Sequence, residues 1–139
     1  MENKRLILAY GSLRKGDYNY TRFKEYFKDE FQYVKTLELP GFDLYYLPYG
    51  YPGVKRNPHG KITVDIIEVT EGCYAEIEAM ETYADYTPLT FETLLSLDDN
   101  GENLKYYEAT LFLYNGGVTN NNFVKHGDWI KFINEQNKS

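Results

Sequence analysis

Arg5-Leu6-Ile7-Leu8-Ala9-Tyr10-Gly11-Ser12-Leu13-Arg14-Lys15-Gly16 begins as a short apolar run and stops abruptly at a glycine. A run this short, ended by a chain breaker, reads as a buried strand over 5–9, with 10–16 as a loop hung on its C-terminal end. Downstream, the rings of Tyr20, Phe23, Phe27 and Phe31 recur at helical spacing and predict a helix over 20–31, with Thr21 as its cap. Residues 31–39 alternate as a strand, Pro40-Gly41 is expected to turn the chain, and 42–47 returns as its hairpin partner. Residues 48–58 hold three prolines and two glycines and read as an irregular loop. A strand over 61–69 follows, and Thr70 is placed to cap a helix running to about Met80. Strands at 90–97 and 105–114 flank the turn Asp98-Asp99-Asn100-Gly101, and 123–133 predicts a closing helix around Trp129. The expected architecture is one α+β domain over 1–139: about six strands in a mostly antiparallel, curled or barrel-like sheet with two or three flanking helices.

Composition narrows the partners. The formal net charge of −6 argues against nucleic acid and anionic membrane, both of which call for a basic face. Cys73 is the only cysteine, so no intramolecular disulfide can form, a usage that fits a reducing compartment. There is no long apolar run, and Met1-Glu2-Asn3-Lys4-Arg5 leads directly into the first strand. The expected location is therefore the cytoplasm. The 15 tyrosines suit either a packed core or a pocket whose walls are apolar with a few hydrogen-bonding points.

Two places combine the residue types that chemistry needs. Gly11 permits close approach of the backbone, successive N–H groups in such a turn can form a concavity for a carboxylate, and Ser12 adds a hydroxyl. An ordinary strand-ending turn would use the same residues. Glu81 lies four residues beyond Ile77, on the stripe Cys73, Ile77, Met80 that should face the core, whereas Glu76 and Glu78 fall about 100° to either side of Ile77. A carboxylate on an apolar face is desolvated, which raises its pKa towards that of a general base at neutral pH. The alternative is a glutamate turned outward past the helix end. His59 and His126 are far apart and no metal-ligand spacing is present. The patterns of a nucleophile elbow and of a phosphate loop are absent as well.

Read in order, Tyr10-Gly11-Ser12-Leu13-Arg14-Lys15-Gly16 with Asn19, Tyr51-Pro52-Gly53-Val54, residues 64–69, Ile77-Glu78-Ala79-Met80-Glu81, Tyr114-Asn115 and Gly127-Asp128-Trp129 resemble the small γ-glutamylcyclotransferase-like proteins. The resemblance implies an enzyme that closes a γ-glutamyl group onto itself, forming 5-oxoproline and releasing an amine. It implies Glu81 as general base, and Tyr10, Gly11, Ser12, Leu13 and Tyr114 as binding residues for a small γ-glutamyl substrate. Neither metal nor organic cofactor is implied. Three departures stand out: Asp65 where the family usually has Gly, Thr82 after the glutamate where it has Gly, and Thr90-Phe91-Glu92 at the expected entry of the next strand, where the family often shows Tyr-x-Arg. The last of these leads us to expect a less polar acceptor side. A non-catalytic small-molecule-binding or interaction protein on the same fold is the competing reading. The sequence leaves the oligomeric state and the identity of the leaving amine open.

Overall fold

A computed structural model describes residues 4–98 and 100–137; the N-terminal Met1 to Asn3 and Asp99 of the expected turn lie outside the described residues. In chain order the elements are β1 (Lys4–Ala9), α1 (Tyr18–Phe27), β2 (Phe31–Tyr46), β3 (Pro52–Thr70), α2 (Glu71–Tyr83), β4 (Tyr86–Leu95), β5 (Lys105–Tyr114) and α3 (Trp129–Gln136), with short 3-10 turns at 28–30 and 120–122. One sheet runs in the order β2-β3-β1-β5-β4 and curls as a half-barrel, giving the α+β architecture expected from the sequence.

The apolar run at 5–9 explains its own place. β1 pairs antiparallel with β3 (Ile7 opposite Ile67) and parallel with β5 (Ile7 opposite Thr110). A central strand covered on both faces needs apolar residues on both, so Leu6, Ile7, Leu8 and Ala9 are all buried. The β1–β5 pairing makes the sheet mixed, whereas the hairpins alone predicted antiparallel contacts. Buried residues from β1, β2, β3, β5 and α2 form one cluster, with Phe31, Leu44, Val64, Ile66, Ile77 and Leu111 fully enclosed.

Several boundaries differ from expectation, each for a local reason. Pro40-Gly41 does not turn the chain. It lies within the 16-residue β2 at a register shift: the pairing passes from Pro40 opposite Lys61 to Phe42 opposite Arg56, stepping over Gly41 (φ +102°) on β2 and residues 57–60 on β3. The reversal comes later, where Leu47 N–H donates to Tyr51 O (2.7 Å) and Gly50 (φ +89°) donates to Leu47 O (3.0 Å). The stretch expected as a loop over 48–58 is therefore mostly β3. β4 begins at Tyr86 and includes Pro88, which an edge strand tolerates because its free side needs no N–H donor. Helix α1 is capped by Asp17, which accepts from Tyr18 N–H (2.7 Å), and not by Thr21. Thr70 caps α2 as expected, accepting from Cys73 N–H (3.3 Å). Residues 120–122 form a 3-10 turn, and α3 starts only at Trp129 behind its cap Asp128. No helix among the described residues is long and apolar enough to cross a membrane.

Candidate active site

The loop that follows β1 is tied down from beneath. Asp65, on the neighbouring β3 and only 1% exposed, accepts from Lys15 N–H (2.7 Å) and Thr36 Oγ1 (2.6 Å). Arg14, also buried, lies with its Nε 3.4 Å from Asp65 Oδ1 and its Nη1 2.7 Å from Asp128 Oδ1. The Nε contact is an ion pair without an aligned hydrogen bond. Burial opposes ionisation of Asp128, but the Lys131 N–H and the Arg14 guanidinium outweigh it and hold the carboxyl below its ordinary value. The residue that departs from the family's usual Gly thus takes part in the anchor of the loop.

Above this anchor the loop exposes its backbone. Ser12 O accepts from Tyr20 N–H (3.0 Å), Ser12 Oγ accepts from Asn19 Nδ2 (2.7 Å), and Gly11 O accepts from Arg14 N–H (2.9 Å). The N–H groups of Ser12 and Leu13 find no protein acceptor among the described residues. Gly11 is required by packing: a Cβ there would stand 2.5 Å from Pro52 Cγ. The sequence reading gave this glycine close approach to a ligand; what the fold sets against it is Pro52.

A cavity of about 300 Å³ opens beside the loop. Residues 7–13 form one side, Tyr18, Asn19 and Arg22 of α1 a second, Met80, Glu81, Tyr83 and Ala84 of and after α2 a third, and Tyr51, Pro52, Tyr86 and Phe112 close it. Tyr10 donates its hydroxyl to Phe112 O (2.6 Å), and Tyr86 donates to Pro52 O (2.5 Å). Burial, and after it the neighbouring phenol and the Glu81 carboxylate, keeps both phenols above their usual range, so both stay protonated donors. With their hydroxyls committed to the backbone, these rings contribute mainly apolar wall.

Glu81 stands out against this wall. It is half-buried at the cavity, and no hydrogen bond or ion pair to its carboxylate occurs among the described residues. Desolvation pushes it up to about 7. The helical spacing that put Glu81 on the stripe of Cys73 and Ile77 is what carries it there, since α2 runs on to Tyr83 and does not end before it.

Tyr10, Gly11, Ser12, Leu13 and Glu81 therefore meet at one cavity. Tyr114 does not line it. Its ring packs against Tyr86 (5.4 Å between centroids), against Gly53 and Gly116, and under the Lys55 ammonium. The wall position belongs to Tyr86. Because β4 starts there, its entry reads Tyr86-Thr87-Pro88, not Thr90-Phe91-Glu92. Arg22 was missed, although it lies three residues after Asn19 on a predicted helix and shares its face. Among the described residues no group of three or more His, Cys, Asp or Glu is placed to hold a metal ion.

Comparison with known proteins fits this geometry. An uncharacterised protein of Pyrococcus horikoshii superimposes with a TM-score of 0.70 at 20% identity, covering 96% of this chain and 97% of its own. YkqA of Bacillus subtilis gives 0.70 at 19% identity over 99% of this chain and 44% of YkqA, which is much the longer protein. A structure named Gamma-glutamyl cyclotransferase gives 0.56 at 13% identity over 88% of this chain and 69% of that one. At these identities the structures establish the fold alone. No protein of curated function matches the sequence. The family model described as "Gamma-glutamyl cyclotransferase, AIG2-like" matches residues 7–131, a span that holds the loop, α2 and the whole cavity, and the chain belongs to that family.

Proposed function

We propose that the protein converts a γ-glutamyl amine or peptide into 5-oxoproline and a free amine, with Glu81 as general base and then general acid. The observation that carries this reading is the Glu81 carboxylate: unpaired, desolvated, titrating near neutrality and sharing a cavity with a loop that offers free N–H groups.

The substrate's α-carboxylate accepts hydrogen bonds from the N–H groups of Ser12 and Leu13. Glu81 takes one proton from the α-ammonium. The freed nitrogen attacks the γ-carbonyl carbon, a C–N bond forms, and a tetrahedral intermediate results. As it collapses, the bond to the leaving nitrogen breaks and that nitrogen receives the proton held by Glu81; the carboxylate then takes the second proton from the ring nitrogen and passes it to the released amine, so that 5-oxoproline keeps one N–H and the amine departs as an ammonium. Water is neither consumed nor produced. A base near 7 suits both transfers, and holding the chain folded for ring closure supplies much of the acceleration, since well-oriented intramolecular reactions reach effective molarities on the order of 10⁵ M or more. The lone thiol of Cys73, buried and pushed up to about 12 chiefly by desolvation, is unreactive and compatible with a reducing, cytoplasmic setting.

The test is a panel of γ-glutamyl amino acids and γ-glutamyl amines assayed for released 5-oxoproline. Release from at least one substrate, abolished in Glu81→Gln, is the expected result. Binding without release from any member would instead make this a non-catalytic binding protein.

A further inference from the structure

The proposed reaction assigns roles to the loop and to Glu81 and leaves the other charged group of the cavity without one. Among the described residues, Arg22 and Glu81 are the only charged side chains that line it. Neighbouring cations are occupied: Arg14 by Asp65 and Asp128, Arg5 by Glu71 and the Tyr74 ring, Lys55 by Tyr114 O. Arg22 pairs with no carboxylate among the described residues. Its contacts are Met80 Sδ at 3.4 Å and the faces of Phe23 and Tyr18 at 5.3 and 5.9 Å. Arg22 is exposed at the mouth of the cavity, and the rings and thioether beside it do not neutralise its charge, so its fork of donors is open to an anion.

Its position along α1 tells which anion. Asn19, one turn earlier on the same face, holds Ser12 Oγ at the loop. Arg22 lies about 4.5 Å farther along the helix axis, away from that loop. It meets α2 at Met80, the residue before Glu81. Arg22, Met80 and Tyr83 also line a second concavity between α1 and α2, of about 670 Å³, which continues outward over Phe23, Tyr26 and Phe27. A substrate with its γ-glutamyl group at the loop and its scissile bond at Glu81 sends its leaving group past Arg22 into this groove.

We infer that Arg22 is a specificity-determining residue that binds a carboxylate on the leaving group, so that the preferred substrates are γ-glutamyl amino acids or short γ-glutamyl peptides with a free C-terminus, over γ-glutamyl derivatives of neutral or cationic amines. This rests on the proposed cyclisation for the direction in which the substrate lies. It also reverses the less polar acceptor side expected from the missing Tyr-x-Arg, because the cation comes from α1.

The experiment compares γ-glutamyl-alanine with γ-glutamyl-alaninamide, which differ in that one carboxylate. Affinities are measured by calorimetry on the full chain carrying Glu81→Gln, and turnover on the chain with Glu81 intact. We expect the acid to bind about tenfold more tightly than the amide, the scale of one partly exposed charge-assisted contact. Arg22→Gln should collapse that ratio towards one, Arg22→Lys should retain part of it, and Arg22→Glu should invert it, with melting curves showing that each variant folds. Equal binding of acid and amide before any change at Arg22 overturns the inference whatever the turnover. A parallel loss for acid and amide in Arg22→Gln also overturns it, by assigning Arg22 to the α-carboxylate that both ligands carry. Acid-over-amide binding that depends on Arg22, without 5-oxoproline release, upholds the inference while removing the cyclisation reading.

Discussion

At one end of the cavity the loop over 10–16 is held by Asn19, Asp65 and Asp128, and its glycine is pressed against Pro52. At the other end Tyr18, Arg22 and Tyr83 stand at the rim, Tyr18 at 71% and Tyr83 at 96% exposure, with one thioether contact joining the helices there. The first end is locked by hydrogen bonds to residues as much as 114 positions away in sequence; the second leans on surface rings. Ring closure needs a γ-glutamyl group fixed to fractions of an ångström, whereas a leaving group must be recognised and then let go. On the proposed reaction, the tightly held end takes the group whose geometry is exacting, and the open end meets the leaving group.

Three substitutions would break or sharpen this contrast. The largest effect belongs to Glu81, where the two ends meet. Glu81→Gln keeps shape and loses the base, and kcat should fall by about 10²–10⁴-fold. With Glu81 intact, kcat/KM should rise with pH up to about 7 and then level off, following ionisation of the carboxyl; the residual activity of Glu81→Gln should lack that limb. Stability should show the opposite sign. The carboxyl titrates at 4.5 when unfolded and about 7 when folded, so between these values the folded state holds more protons and stability falls as pH rises. At pH 8 Glu81→Gln should therefore be more stable, by no more than about 3 kcal/mol. Urea melts at pH 4 and pH 8 would reveal a glutamate that is not desolvated if the two proteins behave alike.

Asp65→Asn attacks the locked end. It strips a buried guanidinium of one carboxylate and should cost roughly 3–5 kcal/mol of stability by denaturant titration. Below its melting temperature the surviving protein should show a raised KM, as a slackened loop holds the α-carboxylate poorly. A loss below 1 kcal/mol would mean that Asp128 alone satisfies Arg14. Tyr114→Phe should do least. Its phenol lies outside the cavity wall, so kcat/KM should change less than about twofold; a drop of tenfold or more would return it to the site.

What could be read in advance follows from how local each signal was. The strand at 5–9, the Thr70 cap and the inward face of Glu81 depend on neighbours within one or two helical turns, and all three are seen in the fold. Pro40-Gly41 carries the chemistry of a turn, and only the pairing of Pro40 with Lys61 and of Phe42 with Arg56 across the sheet shows that the strand continues through it. The strand expected from Thr90 starts at Tyr86, and Tyr86 lines the cavity, whereas Tyr114, named on resemblance, does not. Arg22 was overlooked because an arginine on an aromatic helix normally marks its solvated side; it is exposed in the fold as well, and its contact with Met80 of α2 sets it at the cavity mouth.

The pairing of β1 with β5 also sets the order of assembly. Tyr10 and Phe112, joined by a hydrogen bond, are 102 residues apart. Contacts of such separation form late, because a long stretch of chain must first be confined before they contribute. On a ribosome adding about 5–20 residues per second, the central strand waits some 5–20 s for its second neighbour. Once β3 has been made, the β2–β3 hairpin can form and pair with β1, but Leu6 to Ala9 keep one edge unpaired until β5 follows. The nascent chain therefore passes through a stage in which its most apolar strand is its most exposed edge, and no working cavity exists until synthesis is nearly done.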